Sequence, residues 1–128
     1  MSDLRTYTWK NKPGIAPNGS ENIQPFDAAD IYAHIQKSID KNSCYGIVGD
    51  NTTSSVEINK IAVQYMAASL KGDEIELSYR VLKTPCGQIV QSMIDNDINL
   101  EHRVQAVGIV EKGVPTLISF ISFKLEPA

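Results

Sequence analysis

Three features of the sequence predict a single α+β domain, with a mainly antiparallel sheet or small barrel, two helices and an extended N-terminal arm. The length of 128 residues suits one domain. Two segments have the apolar spacing of amphipathic helices, and several others alternate apolar and polar residues as strands do. The links between successive strands are too short for parallel crossovers, which favours antiparallel pairing.

Composition and charge exclude several classes of protein. Hydrophobic residues make up 42% of the chain and charged residues 21%, a mix typical of globular proteins. The net charge is −3 and the basic residues are scattered, so we expect no nucleic-acid partner. No apolar stretch approaches the ~20 residues of a membrane helix. The polar start, Met1–Lys10, predicts no export signal, and Cys44 and Cys86 are therefore expected as reduced thiols.

The first 24 residues are polar and rich in turn formers, which predicts an arm over 1–24 before a domain over 25–128. Three aromatic residues in or near this arm, Tyr7, Trp9 and Phe26, are candidate anchors, because aromatic side chains are enriched where protein surfaces dock. One interpretation is that the arm anchors on a neighbouring subunit. The alternative is that it folds onto its own domain.

The first predicted helix covers 27–41 and begins at Asp27, which can accept hydrogen bonds from the first-turn amides. Its apolar stripe has the spacing of one helix face and consists of Ala28, Ile31, Tyr32, Ile35 and Ile39. A short apolar run over 44–48 predicts a strand, and 56–69 predicts two short strands. Residues 74–82 alternate strictly, with Ile75, Leu77, Tyr79 and Val81 on one face.

The second helix is predicted to start at Thr84 and Pro85, a capping residue followed by proline at the first helical position. Its predicted buried face consists of Ile89, Val90, Met93 and Ile94. Two strands over 98–110 and 116–125, joined by a turn at Glu111–Gly113, complete the domain.

Several stretches in matching order resemble the prohead core protease of myoviruses, a relative of herpesvirus assemblin, over roughly residues 18–127. The most specific stretch is Gly72–Ile75 leading into Arg80–Val90, which contains Thr84-Pro85-Cys86-Gly87 and is similar to the family's strand, hinge and helix. The others are Asn18-Gly19 leading to Pro25, Tyr45–Asn51 and Ile118–Pro127. The resemblance implies the protease fold and a role in capsid assembly.

The departures from the family pattern fall at its catalytic positions. An ungapped match from Leu100 places Arg103 and Val104 at the family's serine pair. One family histidine falls at Asp50 or Asn51, and a second falls near Tyr65. A serine protease needs a hydroxyl, a base and a group that orients the base. The resemblance therefore implies the scaffold of the protease without proteolysis, with no catalytic residue.

Other chemistry has weaker support in the sequence. Cys86 at a helix N-terminus with His102 would suggest a thiol nucleophile, whereas the plainer interpretation makes His102 a strand surface residue. His34 and His102 with nearby carboxylates lack metal-ligand spacing, and the acidic group Asp95, Asp97 and Glu101 lacks a calcium-loop pattern. We expect no metal and no cofactor.

The expected function is that of a phage virion structural protein, which binds the major capsid protein or other head proteins as a decoration or minor head component. We expect it in the virion, and in the host cytoplasm during assembly, with a homo-oligomer possible. The alternatives are a pseudoprotease that regulates or scaffolds prohead assembly, a small thiol enzyme, and a small cytosolic ligand-binding phage protein.

Overall fold

Six strands, two helices and one short 3-10 turn make up the described part of the chain. The computed structural model describes residues 4–10, 28–49, 56–112 and 114–128; the side chains of 107–111 and 114–119 are outside this description. The elements in chain order are β1 (Arg5–Lys10), α1 (Ala28–Asp40), β2 (Tyr45–Val48), the 3-10 turn (Ile58–Lys60), β3 (Ile61–Lys71), β4 (Glu74–Val81), α2 (Pro85–Asp95), β5 (Leu100–Glu111) and β6 (Val114–Pro127).

The strands form one sheet in the order β1-β4-β3-β2-β6-β5. All neighbouring pairs are antiparallel except β2 and β6, which pair in parallel over Gly46–Val48 and Phe123–Leu125. The parallel pair is possible because most of the domain lies between these two strands in sequence. The predicted class, an α+β domain with a mainly antiparallel sheet and two helices, is confirmed.

The sheet curls into a half-barrel, which brings its two edge strands together. β1 and β5 lie at opposite ends of the strand order, yet the rings of Tyr7 and His102 are 4.2 Å apart, centroid to centroid. Large side chains fill the concave side, including Trp9, Tyr65, Leu77 and Phe123, each at most 2% exposed. Burial of these side chains supplies the main driving force for the curled shape.

Residues 5–10 of the predicted N-terminal arm lie on the domain itself. These residues form an edge strand that pairs with β4 from Arg5↔Tyr79 to Lys10↔Glu74. Trp9 is 1% exposed in the core. Side chains alternate between the two faces of a strand, so Tyr7 and Trp9 both point to the inward face of β1, which explains the burial of Trp9. Of the two alternatives, folding onto its own domain is therefore the one observed for this segment; Phe26 and residues 11–27 lie outside the described residues.

The first helix forms as predicted from its apolar stripe. Ala28, Ile31 and Ile35 are buried, and Tyr32 and Ile39 pack at the edge of the core. The helix packs against β3, β4 and β6. The proposed cap Asp27 lies outside the described residues. No helix in the described part of the chain combines the length and the apolar character needed to cross a bilayer.

The segment predicted as two short strands over 56–69 is instead a 3-10 turn followed by one long strand. The apparent break in the apolar pattern is a β-bulge, which shifts the β3–β4 register between Tyr65 and Ala67. A bulge inserts one residue and reverses which side chains point inward. The sequence pattern therefore looks interrupted although the strand continues.

The second helix starts as predicted, and its buried face is partly different. Thr84 Oγ1 accepts from the Gly87 amide at 2.9 Å and donates to the Ile61 carbonyl at 2.6 Å. Val90 and Gly87 are buried, whereas Ile89 is 45% exposed. The helix is rotated about its axis in this way because Gly87 lies directly against the backbone of the sheet.

Replacing Thr84 with valine is expected to lower the free energy of unfolding by about 1–2 kcal/mol, because both hydroxyl hydrogen bonds are lost while the shape is kept. Urea unfolding measures the change. The control Thr84→Ser keeps the hydroxyl and is expected to stay close to wild type. Equal losses in the two variants would contradict the capping role.

Candidate functional site

The strongest candidate site is a buried polar pair, Tyr65 on β3 and His102 on β5. The Tyr65 hydroxyl lies 2.6 Å from Nδ1 of His102, and each residue is 2% exposed. Buried polar side chains carry a cost unless they are hydrogen-bonded, and each of these two satisfies the other. We call Tyr65 and His102 the core pair.

A glycine on the intervening strand β2 makes room for the core pair. A Cβ on Gly46 would lie 2.9 Å from the Tyr65 hydroxyl oxygen, 2.6 Å from Cγ2 of Val63 and 2.5 Å from Cδ1 of Leu125. These separations are shorter than carbon contacts allow. The absence of a side chain at Gly46 therefore lets the tyrosine hydroxyl reach across the interior to His102.

Aromatic rings surround the core pair. The Tyr7 and Tyr79 rings lie 4.2 and 4.8 Å from the His102 ring, and the Phe123 ring lies 4.4 Å from the Tyr65 ring, between centroids. Such contacts hold the imidazole in one orientation. The core pair is thus packed among aromatic side chains.

Burial sets the charge of both members of the core pair. It lowers the pKa of His102 from 6.5 to about 3. It also raises the pKa of Tyr65 well above its ordinary value, an effect that neighbouring Cys44 reinforces. Both groups are therefore neutral near pH 7. A base with so low a pKa takes a proton poorly from a hydroxyl at neutral pH.

The structure separates the positions at which the resemblance places the protease residues. Tyr65 and Val104 face the interior, where Val104 is 1% exposed. Arg103 lies on the opposite face of β5, because neighbouring residues in a strand point to opposite sides. There its guanidinium lies 3.4 Å from the Glu126 carboxylate. Asp50 lies outside the described residues.

The cysteine–histidine hypothesis finds no supporting contact among the described residues. The Cys86 thiol donates to the Asn59 carbonyl at 3.5 Å. Cys86 lies at the other end of α2 from the groove that His102 lines. Ile94, which lines that groove too, is eight residues beyond Cys86 on the helix, a separation of about 12 Å by helix rise. The second thiol, Cys44, is fully buried, which raises its pKa to about 12.

The described part of the chain contains no metal-ligand cluster, and His34 and His102 do not come together in it. No three His, Cys, Asp or Glu side chains there come close enough to hold an ion. Nδ1 of His34 instead donates to the Asp30 carbonyl at 2.9 Å, within α1. The two histidines thus belong to different environments.

The interpretation of His102 as a strand surface residue is wrong, because the side chain is buried. The signal was present in the sequence: His102, Val104 and Ala106 have the same parity on β5, and all three are buried. Alternation therefore predicts an inward histidine. Its partner Tyr65 lies 37 residues away, and no local pattern connects the two.

Comparison with known proteins places this geometry in a known fold. No protein-family model matches the sequence, and no curated protein matches it significantly. The structure is similar to that of the bacteriophage T4 capsid assembly protease, gp21, with a TM-score of 0.59 and 11% sequence identity. The similarity covers 96% of this chain and 96% of the protease chain. The chain therefore has a prohead protease-like fold.

Proposed function

We propose that this protein is a non-catalytic structural protein of a tailed-phage virion, which binds the capsid as a decoration or minor head protein. The fold it shares with a capsid assembly protease over almost its whole length supports the capsid context. Because one fold hosts many functions, the role itself has to be argued from the site. The proposed partners are the major capsid protein or other head proteins.

The core pair is the observation that carries the non-catalytic part of the proposal. A hydroxyl does lie within bonding distance of an imidazole, but it is a phenol with a raised pKa and both residues are 2% exposed. A nucleophile has to be activated by its base and has to reach the substrate. Val104 offers only hydrocarbon, and Arg103 is held by Glu126 on the other face.

A pseudoprotease role in prohead assembly is the second candidate. The similarity covers 96% of both chains, so the overall outline of the protease is retained. Such an outline would let the protein occupy a position that the active protease takes in the prohead. This role differs from decoration in its timing, because a core component leaves before the head matures.

Quantitative mass spectrometry of proheads and mature virions from the encoding phage tests both roles. We expect the protein in mature virions, in fixed stoichiometry with the major capsid protein. Presence in proheads alone would favour the pseudoprotease, and absence from both particles would contradict a virion role.

A peptidase assay tests the non-catalytic part separately. We expect the purified protein to cleave a fluorogenic casein substrate no faster than the His102→Gln variant, because the histidine is buried and is not basic at pH 7. Hydrolysis by the wild type that disappears in this variant would contradict the proposal.

A further inference from the structure

A groove lies where the two edge strands of the half-barrel meet. It has a volume of about 490 Å³, and His102 forms part of its inner wall. Leu4 and Ile98 on its rim are 49% and 43% exposed. We call it the seam groove; its described lining residues are Leu4, Arg5, Thr6, Tyr7, Tyr79, Ile94, Ile98, Asn99, Leu100 and His102.

The β5 side of the seam groove presents backbone hydrogen-bonding groups. The amide of Ala128 donates to the carbonyl of Asn99. Because bonded pairs alternate along an antiparallel ladder, the odd-numbered residues of β5 up to Gln105 form the backbone bonds to β6. The backbone groups of Leu100 and His102 then point away from β6, toward the side on which the described strands give β5 no neighbour. Pro127, which has no amide hydrogen, stands opposite Leu100, as this pattern requires.

The β1 side presents a second row of such groups. The Leu82 amide donates to the Ala62 carbonyl, so even-numbered residues of β4 bond to β3 and odd-numbered ones bond to β1. In the β1–β4 register, Thr6 and Thr8 are then the β1 residues whose backbone groups point outward. The seam groove therefore has backbone donors and acceptors on both walls.

The directions of the two walls determine which strand would fit between them. Following the pairing through β4, β3, β2 and β6 shows that β1 and β5 run in the same direction. A strand placed between them can therefore run antiparallel to both. Antiparallel addition to a sheet edge is a recurrent mode of peptide recognition, in which main-chain bonds supply affinity and side-chain pockets supply specificity.

We propose that the seam groove binds an extended peptide segment of another protein as an antiparallel strand between β1 and β5. Apolar side chains of the peptide would pack against Leu4 and Ile98 on the rim. Arg5 carries the one formal charge among the described lining residues, which favours a carboxylate on the peptide. The inference rests on the fold of this chain and not on the proposed capsid role.

Amide hydrogen exchange of the full chain, followed by NMR, tests the proposal. The probe is the acetylated peptide Thr-Val-Thr-Ile-Thr-Leu-Asp, and its control is the same peptide N-methylated at every residue. We expect the probe to bind with a Kd below about 1 mM and to slow exchange about tenfold at Thr6, Thr8, Leu100 and His102. The N-methylated peptide lacks the main-chain donors and should do neither.

Two isoleucines of similar exposure give a matched pair of variants. Ile98→Asp is expected to weaken binding of the probe at least about tenfold, because it places a carboxylate on the rim. Ile89→Asp, on a helix position that is 45% exposed and absent from the described groove lining, should bind like the wild type. If Ile98→Asp fails to fold, Arg5→Glu replaces it. We expect this variant to bind a probe that ends in Lys more tightly than the probe that ends in Asp.

Three results would overturn the proposal. The first is slow exchange at the four amides in the free protein, which would mean that the edges are already covered by the chain itself. The second is the absence of any slowing with the probe. The third is an equal effect of the two isoleucine variants, or no change of charge preference in Arg5→Glu.

Discussion

Replacing Gly87 with alanine is expected to destabilise the protein by about 3 kcal/mol or more. A Cβ at this position would lie 1.9 Å from the Leu82 carbonyl oxygen and 3.0 Å from the Ala62 carbonyl oxygen. Both are backbone atoms, and the Leu82 amide already donates to Ala62 at 2.9 Å. Neither can move without opening the β3–β4 ladder, so the helix must shift. Forced overpacking typically costs about 1–3 kcal/mol, and more where nothing yields.

Urea unfolding at pH 7, with the matched variant Gly72→Ala, measures this effect. Gly72 has a φ of +66°, and a Cβ there would have no atom within 4 Å, so alanine at this position meets backbone strain alone. That strain costs about 1–2 kcal/mol. If Gly87→Ala cost no more than Gly72→Ala, the close helix–sheet contact would not be a determinant of stability.

Lowering the pH from 7 to 5 is expected to remove about 2 kcal/mol of stability through His102 alone, and about 4 kcal/mol by pH 3. The pKa of His102 is about 3 in the folded protein, against 6.5 for an ordinary histidine. Between these values the unfolded chain binds a proton that the folded chain does not. The stabilisation is therefore complete above pH 6.5 and is lost as the pH falls toward 3.

The test compares the pH dependence of urea unfolding in the wild type, His102→Gln and His34→Gln. The free energy of unfolding of His102→Gln should be lower than that of the wild type at pH 7 but should change less between pH 7 and 5. His34 lies on α1 with its side chain 30% exposed, so His34→Gln controls for the loss of an imidazole outside the core. A wild-type slope retained in His102→Gln would show that other groups cause the acid sensitivity.

Local sequence determined the elements whose pattern is complete within a few residues. The stripe of α1, the alternation of β4 and the Thr84-Pro85 start of α2 each specify one element, because backbone geometry fixes a period of about 3.6 or 2. Prediction failed where a bulge reversed the inward face of β3, and where Gly87 rather than an apolar side chain set the rotation of α2.

The candidate site was predicted only in part. The resemblance singled out Tyr65, and the sequence drew attention to His102 for a different partner, Cys86. That Tyr65 and His102 bond to each other depends on the space left by Gly46 on a third strand. Whether these two side chains come into contact depends on the order of the strands in the sheet, and the periodicity of a single segment does not predict that order.

By itself, the sequence determined the class of the domain, most of its elements and the buried stripe of α1. Only the tertiary structure decided the parallel pairing of β2 with β6, the place of β1 in the sheet and the curl that brings Tyr7 onto His102. The physical reason is range: local geometry acts over neighbouring residues, whereas closure of the half-barrel depends on how distant side chains fill one shared interior.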